Sequence, residues 1–230
     1  MNEDEIFDFD EEEQKPSPRR LIYRIIGILL IFGLIYVYGI QQALFYRRTP
    51  AGTPQERLES VLNAETLTVP LEIFVFRNEG QFGSERTVVE VQEIVGNASN
   101  IWAQADIELT AGDVFFLEVS DEELELFFEK PRLFAMGLEE YSEDAISVFF
   151  IESLSRWEGI NGVAFIGSNM IAVADTSTAY DFRVLAHEIG HILGLPHAEG
   201  DKSRLMYQGA NGVDLTEEEI LRARARALGY

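Results

Sequence analysis

The chain has 230 residues, of which 47% are hydrophobic, and this composition excludes a fully disordered or fibrous protein. It contains no cysteine, which excludes a disulfide scaffold, a thiolate metal site and an iron–sulfur cluster. The formal net charge is −22, and because binding nucleic acid requires a basic surface, we expect no nucleic-acid partner.

The N-terminal part of the chain predicts an acidic tail and a membrane anchor. Residues 1–20 predict a disordered tail, since residues 1–14 contain eight acidic residues and no basic residue. Residues 21–46 are mostly apolar and carry Arg24 as their only charge, which predicts one transmembrane helix. Ile25 to Tyr46 would span about 33 Å as a helix, enough to cross a hydrocarbon core of about 30 Å. A buried core helix and a cleaved signal peptide are the alternatives, but no A-x-A cleavage site follows this long run.

The basic residues beside this span predict its orientation. Lys15, Arg19, Arg20 and Arg24 precede the uncharged run from Ile25 to Tyr46, and Arg47 and Arg48 follow it. Because the cytoplasmic side carries the larger number of Lys and Arg residues, we expect the N-terminus in the cytoplasm. The protein would then cross the cytoplasmic membrane once, with residues 67–230 on the outer side.

The elements after the span alternate between strands and helices. Residues 47–66 predict a linker with a short helix, which Thr53 and Glu56 begin with a capping box. We then predict a strand at 67–76, a long helix at 86–105 that packs one face on a sheet, and a strand region at 107–119 interrupted near Gly112. An acidic helix at 120–130, a strand at 145–154, and one or two strands at 162–166 and 170–174 follow. Helices at 180–193 and 216–228 complete one α/β domain over residues 67–230.

The segment that carries the chemistry reads HEIGHILGLPH and begins at His187. His187 and His191 are four residues apart, so both face the same side of a helix and can bind one cation. Gly194 permits a left-handed turn after which His197 can supply a third nitrogen. Three imidazoles with a fourth position open to water predict one catalytic zinc ion. Glu188 lies beside that face and can reach the water without being a ligand, which makes it the candidate catalytic base. A lone histidine would favour a core or capping role, whereas three histidines and a glutamate in this spacing favour the metal site.

This segment resembles the metzincin signature of zinc endopeptidases, HExxHxxGxxH followed by a methionine turn. The corresponding methionine is Met206, nine residues after His197, and the sequence Leu-Met-Tyr around it resembles the matrixin branch. Weaker similarity covers residues 100–105, 146–150, 162–165, 171–174 and 215–220. The resemblance implies that Met206 lies beneath the metal. It also implies an α/β (α+β) fold, a mixed twisted sheet with a long backing helix, an active-site helix and a C-terminal helix, here preceded by the transmembrane helix.

The resemblance also implies how a polypeptide substrate binds. The substrate would lie extended along the edge strand of the sheet and pair with its backbone. We place that strand near residues 171–174, while residues 207–212 would line the main specificity pocket. The candidate substrate-binding residues are Ile171, Ala172, Val173, Ala174 and Tyr207.

The chain departs from secreted matrixins at several points. It has no cysteine, so the resemblance does not extend to the cysteine-containing prosegment that covers their zinc. All three histidines belong to the catalytic motif, which leaves none for a second, structural zinc ion. Ala198 and Gln208 do not match the main branches at their positions, so the subfamily stays open. Glu199 and Asp201 could bind calcium, but a solvated acidic loop is the favoured interpretation.

Together these features predict a membrane-anchored zinc-dependent endopeptidase that cleaves proteins outside the cytoplasmic membrane. In this hypothesis Glu188 activates the attacking water. The alternative is a catalytically silent zinc-binding interaction module on the membrane, and a Glu188→Ala variant distinguishes the two. A third class, a metallohydrolase for small substrates, would be favoured by a closed cleft.

Overall fold

The computed structural model describes residues 53–78, 83–154, 159–175, 181–209 and 211–230. The predicted acidic tail, the predicted membrane anchor and the start of the linker lie outside these residues. Among the helices that are described, none combines the length and the apolar character needed to cross a bilayer.

The described residues form six α-helices and five strands. The helices are α1 (Pro54–Asn63), α2 (Val88–Trp102), α3 (Asp121–Glu129), α4 (Pro131–Ala135), α5 (Asp181–Ile192) and α6 (Glu217–Ala227). The strands are β1 (Leu67–Arg77), β2 (Ile107–Glu118), β3 (Ile146–Ile151), β4 (Gly162–Phe165) and β5 (Met170–Ala174), and a 3₁₀ turn spans Ala103–Ala105. The sequence analysis did not predict α4. This helix begins at Pro131, and proline is favoured at the first position of a helix.

The helix starts follow from their sequences. The capping box predicted for α1 is present at Thr53 and Glu56, and Thr216 and Glu219 form another at the start of α6. The same arrangement begins α2 and α3. Each box satisfies backbone N–H groups that a helix start otherwise leaves without partners, and a cap of this kind contributes about 1 kcal/mol.

The five strands form one mixed sheet in the order β2-β1-β3-β5-β4. The first four strands run parallel, and β4 pairs antiparallel with β5. Leu71 pairs with Ala111 and Ile73 with Val114, so β2 carries one extra residue near Gly112. The predicted interruption of this strand is therefore a β-bulge within a continuous element. The mixed sheet and the alternating helices confirm the predicted α/β class.

The edge strand next to α5 is β4, which corrects the prediction that residues 171–174 form the edge of the sheet. Ile171, Ala172, Val173 and Ala174 lie in β5, which pairs with β3 on one side and with β4 on the other. All four are 0% exposed. Because both edges of β5 are already occupied, its backbone has no groups left for an extended substrate. The residues of β4 are partly exposed, and one edge of this strand has no neighbour in the described sheet.

Each face of the sheet is covered by its own core. On one face, α2 and α5 pack together, and the indole N–H of the fully buried Trp102 donates to the Ala186 carbonyl at 3.3 Å. The predicted long helix thus fixes the helix that carries the histidines. On the other face, α3 and α4 cover an aromatic cluster in which Phe74 stacks on Phe149 with ring centroids 4.9 Å apart. Such pairs contribute about 0.5–1.5 kcal/mol beyond the burial of their apolar surface, which stabilises the packing on this face of the sheet.

Candidate metal centre

Two of the predicted ligands lie on one face of α5. The rings of His187 and His191 are one helical turn apart, with centroids separated by 4.8 Å. The helix ends at Ile192, and Gly194 in the turn that follows has a φ of +85°, which is left-handed as predicted. Leu195 N–H then bonds back to the Gly190 carbonyl at 2.8 Å, which reverses the chain and directs it toward His197.

The three histidines come together as the motif predicts. One ligand nitrogen from each of His187, His191 and His197 lies within 4.8 Å of the others, and the Nε2 atoms of His191 and His197 are 3.1 Å apart. Zinc–nitrogen bonds of about 2.0–2.1 Å in a tetrahedron place two ligand nitrogens about 3.3 Å apart. The spacing and the donor type therefore fit a zinc ion bound by three imidazoles.

The hydrogen bonds of the Nδ1 atoms determine which ring nitrogen of His187 and His191 is left to bind a metal. Nδ1 of His187 lies 2.8 Å from the Leu205 carbonyl oxygen, and Nδ1 of His191 lies 2.9 Å from that of Leu195. Because a carbonyl oxygen only accepts, each Nδ1 carries a proton and donates it, which leaves the Nε2 lone pair for a metal. Burial lowers the pKa of His187 to about 4, although the bond to Leu205 acts in the opposite direction. Burial also lowers the pKa of His191, so both rings are neutral near pH 7, as ligands must be.

Glu188 lies on α5, and its buried side chain faces the edge strand β4. The side chain is close to Gly162, where an added methyl group would lie 2.9 Å from Cγ and 3.0 Å from Oε1 of Glu188. Burial raises the pKa of Glu188 to about 7, against the opposing effects of a hydrogen bond from the Ala164 backbone and the charge of Arg183. A carboxyl group with this pKa can both accept and release a proton near neutral pH.

Met206 lies beneath the histidine helix, as the resemblance implies. It is 0% exposed, and its carbonyl accepts from Ala198 N–H at 2.9 Å, next to the third histidine. The sulfur packs against Gly190, where an added methyl group would lie 2.5 Å from Sδ. The methionine turn is further joined to α6, because Arg204 pairs with Glu219.

The structure thus brings together most of the predicted site residues and separates others from them. His187, Glu188, His191, His197 and Met206 form one cluster. Tyr207 follows directly on the methionine turn and is partly exposed, whereas residues 171–174 are interior to the sheet. In the predicted acidic loop, Asp201 Oδ1 accepts from Ser203 N–H at 2.9 Å and so forms a local turn.

The sequence analysis did not identify three residues that shape this cluster. Gly162 and Gly190 provide space for Glu188 and Met206, and Arg183 is buried one turn before His187. The glycines carry no signal, because the contact that requires each one comes from a distant part of the chain. Arg183 does carry a weak signal, since it is a charge at the helical spacing of the apolar face.

Comparisons with known proteins were made at the level of family, sequence and structure. A family model described as Matrixin, of the M10 peptidases, matches residues 78–222, which is more than half of the chain. No curated protein matches the sequence. Among solved structures, the chain is similar to one described as "Structure of a chaperone-substrate complex", with 16% identity and a TM-score of 0.47. The match covers 73% of this chain and 35% of that one, so the present chain spans about a third of its length.

Proposed function

Because this chain belongs to the matrixin family and brings three histidines together, we propose that it is a zinc metalloendopeptidase that cleaves peptide bonds within proteins outside the cytoplasmic membrane. The observation that carries the proposal is the buried carboxylate of Glu188 beside three imidazole nitrogens within 4.8 Å of one another. His187, His191 and His197 would hold one zinc ion through three nitrogens. A bound zinc ion polarises the scissile carbonyl and lowers the pKa of water at its open position.

Glu188 is the proposed general base and then the general acid. Its carboxylate accepts a proton from the attacking water as a new bond forms to the carbonyl carbon of the substrate. The same carboxyl group then delivers that proton to the amide nitrogen as the carbon–nitrogen bond breaks. Burial raises the pKa of Glu188, which makes its carboxylate a stronger base for the first step.

The proposed position of the substrate is the free edge of β4. An extended polypeptide can pair with an exposed strand edge through backbone hydrogen bonds. Such a segment would pass Gly162, which packs against the side chain of Glu188, and Ala164, whose backbone donates a hydrogen bond to it. Tyr207 lies on the proposed pocket wall, where its partly exposed ring can contact a substrate side chain.

The proposed location rests on the sequence before residue 53. Residues 21–46 would form a single-pass anchor in the lipid bilayer, and the excess of basic residues before it supports a cytoplasmic N-terminus. The catalytic domain would then act on proteins at the outer side of the cytoplasmic membrane.

The test uses the full chain in detergent, with zinc content and cleavage of a denatured protein measured on the same sample. We expect one zinc ion per chain and cleavage that a chelator abolishes. A Glu188→Ala variant should retain zinc and lose cleavage, while Glu93→Ala, which changes an exposed glutamate on α2, should behave as the wild type. Zinc without cleavage across several substrates would contradict the peptidase function, and a folded chain without zinc would contradict the metal site.

A further inference from the structure

Arg183 is a buried arginine on α5 to which the proposed chemistry gives no role. It lies one helical turn before His187 and is 8% exposed. Its guanidinium donates to three backbone carbonyl oxygens, those of Leu205 at 2.7 Å, Tyr207 at 2.6 Å and Gly212 at 3.1 Å. All three oxygens belong to the segment that contains the methionine turn and the proposed pocket wall.

One of these oxygens also contacts a proposed zinc ligand. The Leu205 carbonyl accepts both from Nη2 of Arg183 and, at 2.8 Å, from Nδ1 of His187. Leu205 is 0% exposed, so a water molecule has no access to replace either donor. The position of this oxygen therefore sets the direction of the His187 ring and of its free nitrogen.

Burying the charge of Arg183 costs desolvation free energy, so these contacts stabilise the fold less than an apolar side chain would. No ion pair joins it to a carboxylate within the described part of the chain. Burial lowers the pKa of Arg183, and the charge of Glu188 offsets this only in part. A buried cation that is bound only by carbonyl oxygens carries a large desolvation cost, whereas an apolar side chain would fill the same space without it. What only the guanidinium supplies is three donors in a fixed planar arrangement.

We propose that Arg183 is a positioning residue for the metal centre and the pocket wall together. Through the shared carbonyl of Leu205 it sets the orientation of His187, and through those of Tyr207 and Gly212 it fixes the wall to the same helix. This inference rests on the proposed zinc-dependent function of the three histidines. Loss of such an outer partner typically costs about 10–100-fold in metal affinity.

The chain provides a matched control in Arg224. Arg224 is 5% exposed and also donates to three backbone carbonyl oxygens, those of Val61, Ala64 and Ala105, in or beside α1 and the 3₁₀ turn. It differs from Arg183 in one further contact, an ion pair with the exposed carboxylate of Asp106 at 3.3 Å. Arg183→Met and Arg224→Met therefore remove the same kind of buried network from two places. Only the first network contacts a proposed ligand.

The experiment measures zinc affinity of the full chain in detergent by competition with a chelator, with near-UV circular dichroism as the check of folding. We expect Arg183→Met to weaken zinc binding about 10–100-fold and Arg224→Met to leave it within about threefold of the wild type. Arg183→Lys, which keeps the charge and the apolar stem, should give an intermediate loss. It also keeps the test decisive if the methionine variant does not fold.

Two results would overturn the inference, and they are distinguishable. If the wild type binds zinc and cleaves protein, while Arg183→Lys and any folded Arg183→Met bind zinc as tightly as Arg224→Met, the positioning role is wrong and the proposed function stands. If the wild-type chain itself binds no zinc, the proposed function is wrong, and this inference fails with it.

Discussion

Gly190 lies directly above the sulfur of Met206, in the helical turn between His187 and His191. A methyl group at this position would lie 2.5 Å from Sδ and 3.1 Å from Cε of Met206, and the methionine is fully buried. The short distance between α5 and the methionine turn therefore depends on the absence of a side chain at residue 190.

Gly190→Ala should destabilise the protein although alanine is the better helix former. The gain in helix propensity is about 1 kcal/mol, whereas overpacking of a close-packed core costs about 1–3 kcal/mol. We expect the second effect to dominate, with a net loss of about 1 kcal/mol in the free energy of unfolding measured with urea. Gly96→Ala on α2 is the matched control, because it has no atom within 4 Å and should stabilise the fold by up to about 1 kcal/mol. Equal stabilisation by both substitutions would contradict the prediction.

Gly162→Ala should reduce activity while zinc stays bound. The new methyl group would lie 2.5 Å from Cγ1 of Val184 and 3.0 Å from Oε1 of Glu188, so the carboxylate must move. A displacement of about 1 Å at a catalytic group can cost about 100-fold, and we expect kcat to fall by about 10-fold to 100-fold. Zinc content and kcat are measured on the same sample. Gly112→Ala, at the β2 bulge with no atom within 4 Å, should leave both unchanged, and a fully active Gly162→Ala would contradict the position assigned to Glu188.

Arg86→Met should lower stability more than the loss of a surface ion pair does. Arg86 joins Asp175, just after β5, to Asp181, the first residue of α5, and its side chain is only 12% exposed. Without the guanidinium two carboxylates remain together with little access to water, and we expect a loss of about 2–3 kcal/mol in the free energy of unfolding. Arg222→Met is the control, because its pair with Glu218 is solvent-exposed and should contribute less than about 0.5 kcal/mol. A similar small loss for both variants would show that the pair at Arg86 does not order the start of α5.

Glu219 should make the fold less stable in acid. Burial raises its pKa, but the hydrogen bonds from Arg204 and Thr216 outweigh burial, so the folded-state pKa lies below 4.5. A group with a lowered folded pKa stabilises the fold above its unfolded pKa, and this contribution is lost as the pH falls through the folded value. The advantage of the wild type over Glu219→Gln should therefore be largest near about pH 7 and shrink below about pH 4.5. Urea unfolding of the zinc-free protein gives both curves without interference from zinc release. A difference that does not change with pH would contradict the prediction.

The parts of the site that could be predicted are those encoded within a few residues of each other. His187 and His191 share a face because of helical periodicity, and the left-handed turn at Gly194 follows from the freedom of glycine. The position of residues 171–174 could not be predicted in the same way. Two short apolar segments around a turn predict a hairpin, but only pairing with β3, which is distant in sequence, decides which strand is the edge. Arg183 was missed for a similar reason, since its partners lie 22 to 29 residues away along the chain.

The three oxygens bound by Arg183 belong to the backbone, and every amino acid carries such an oxygen. Side chains along the pocket wall can therefore be exchanged without removing any of the acceptors that fix the wall to α5. Gly212 is the exception, because an added methyl group would lie 2.2 Å from the carbonyl carbon of Ser203. In evolutionary terms, the backbone path of the pocket wall can be kept while the side chains along it change. Peptide preference can diverge through residues such as Tyr207 while the backbone that orients His187 stays where it is.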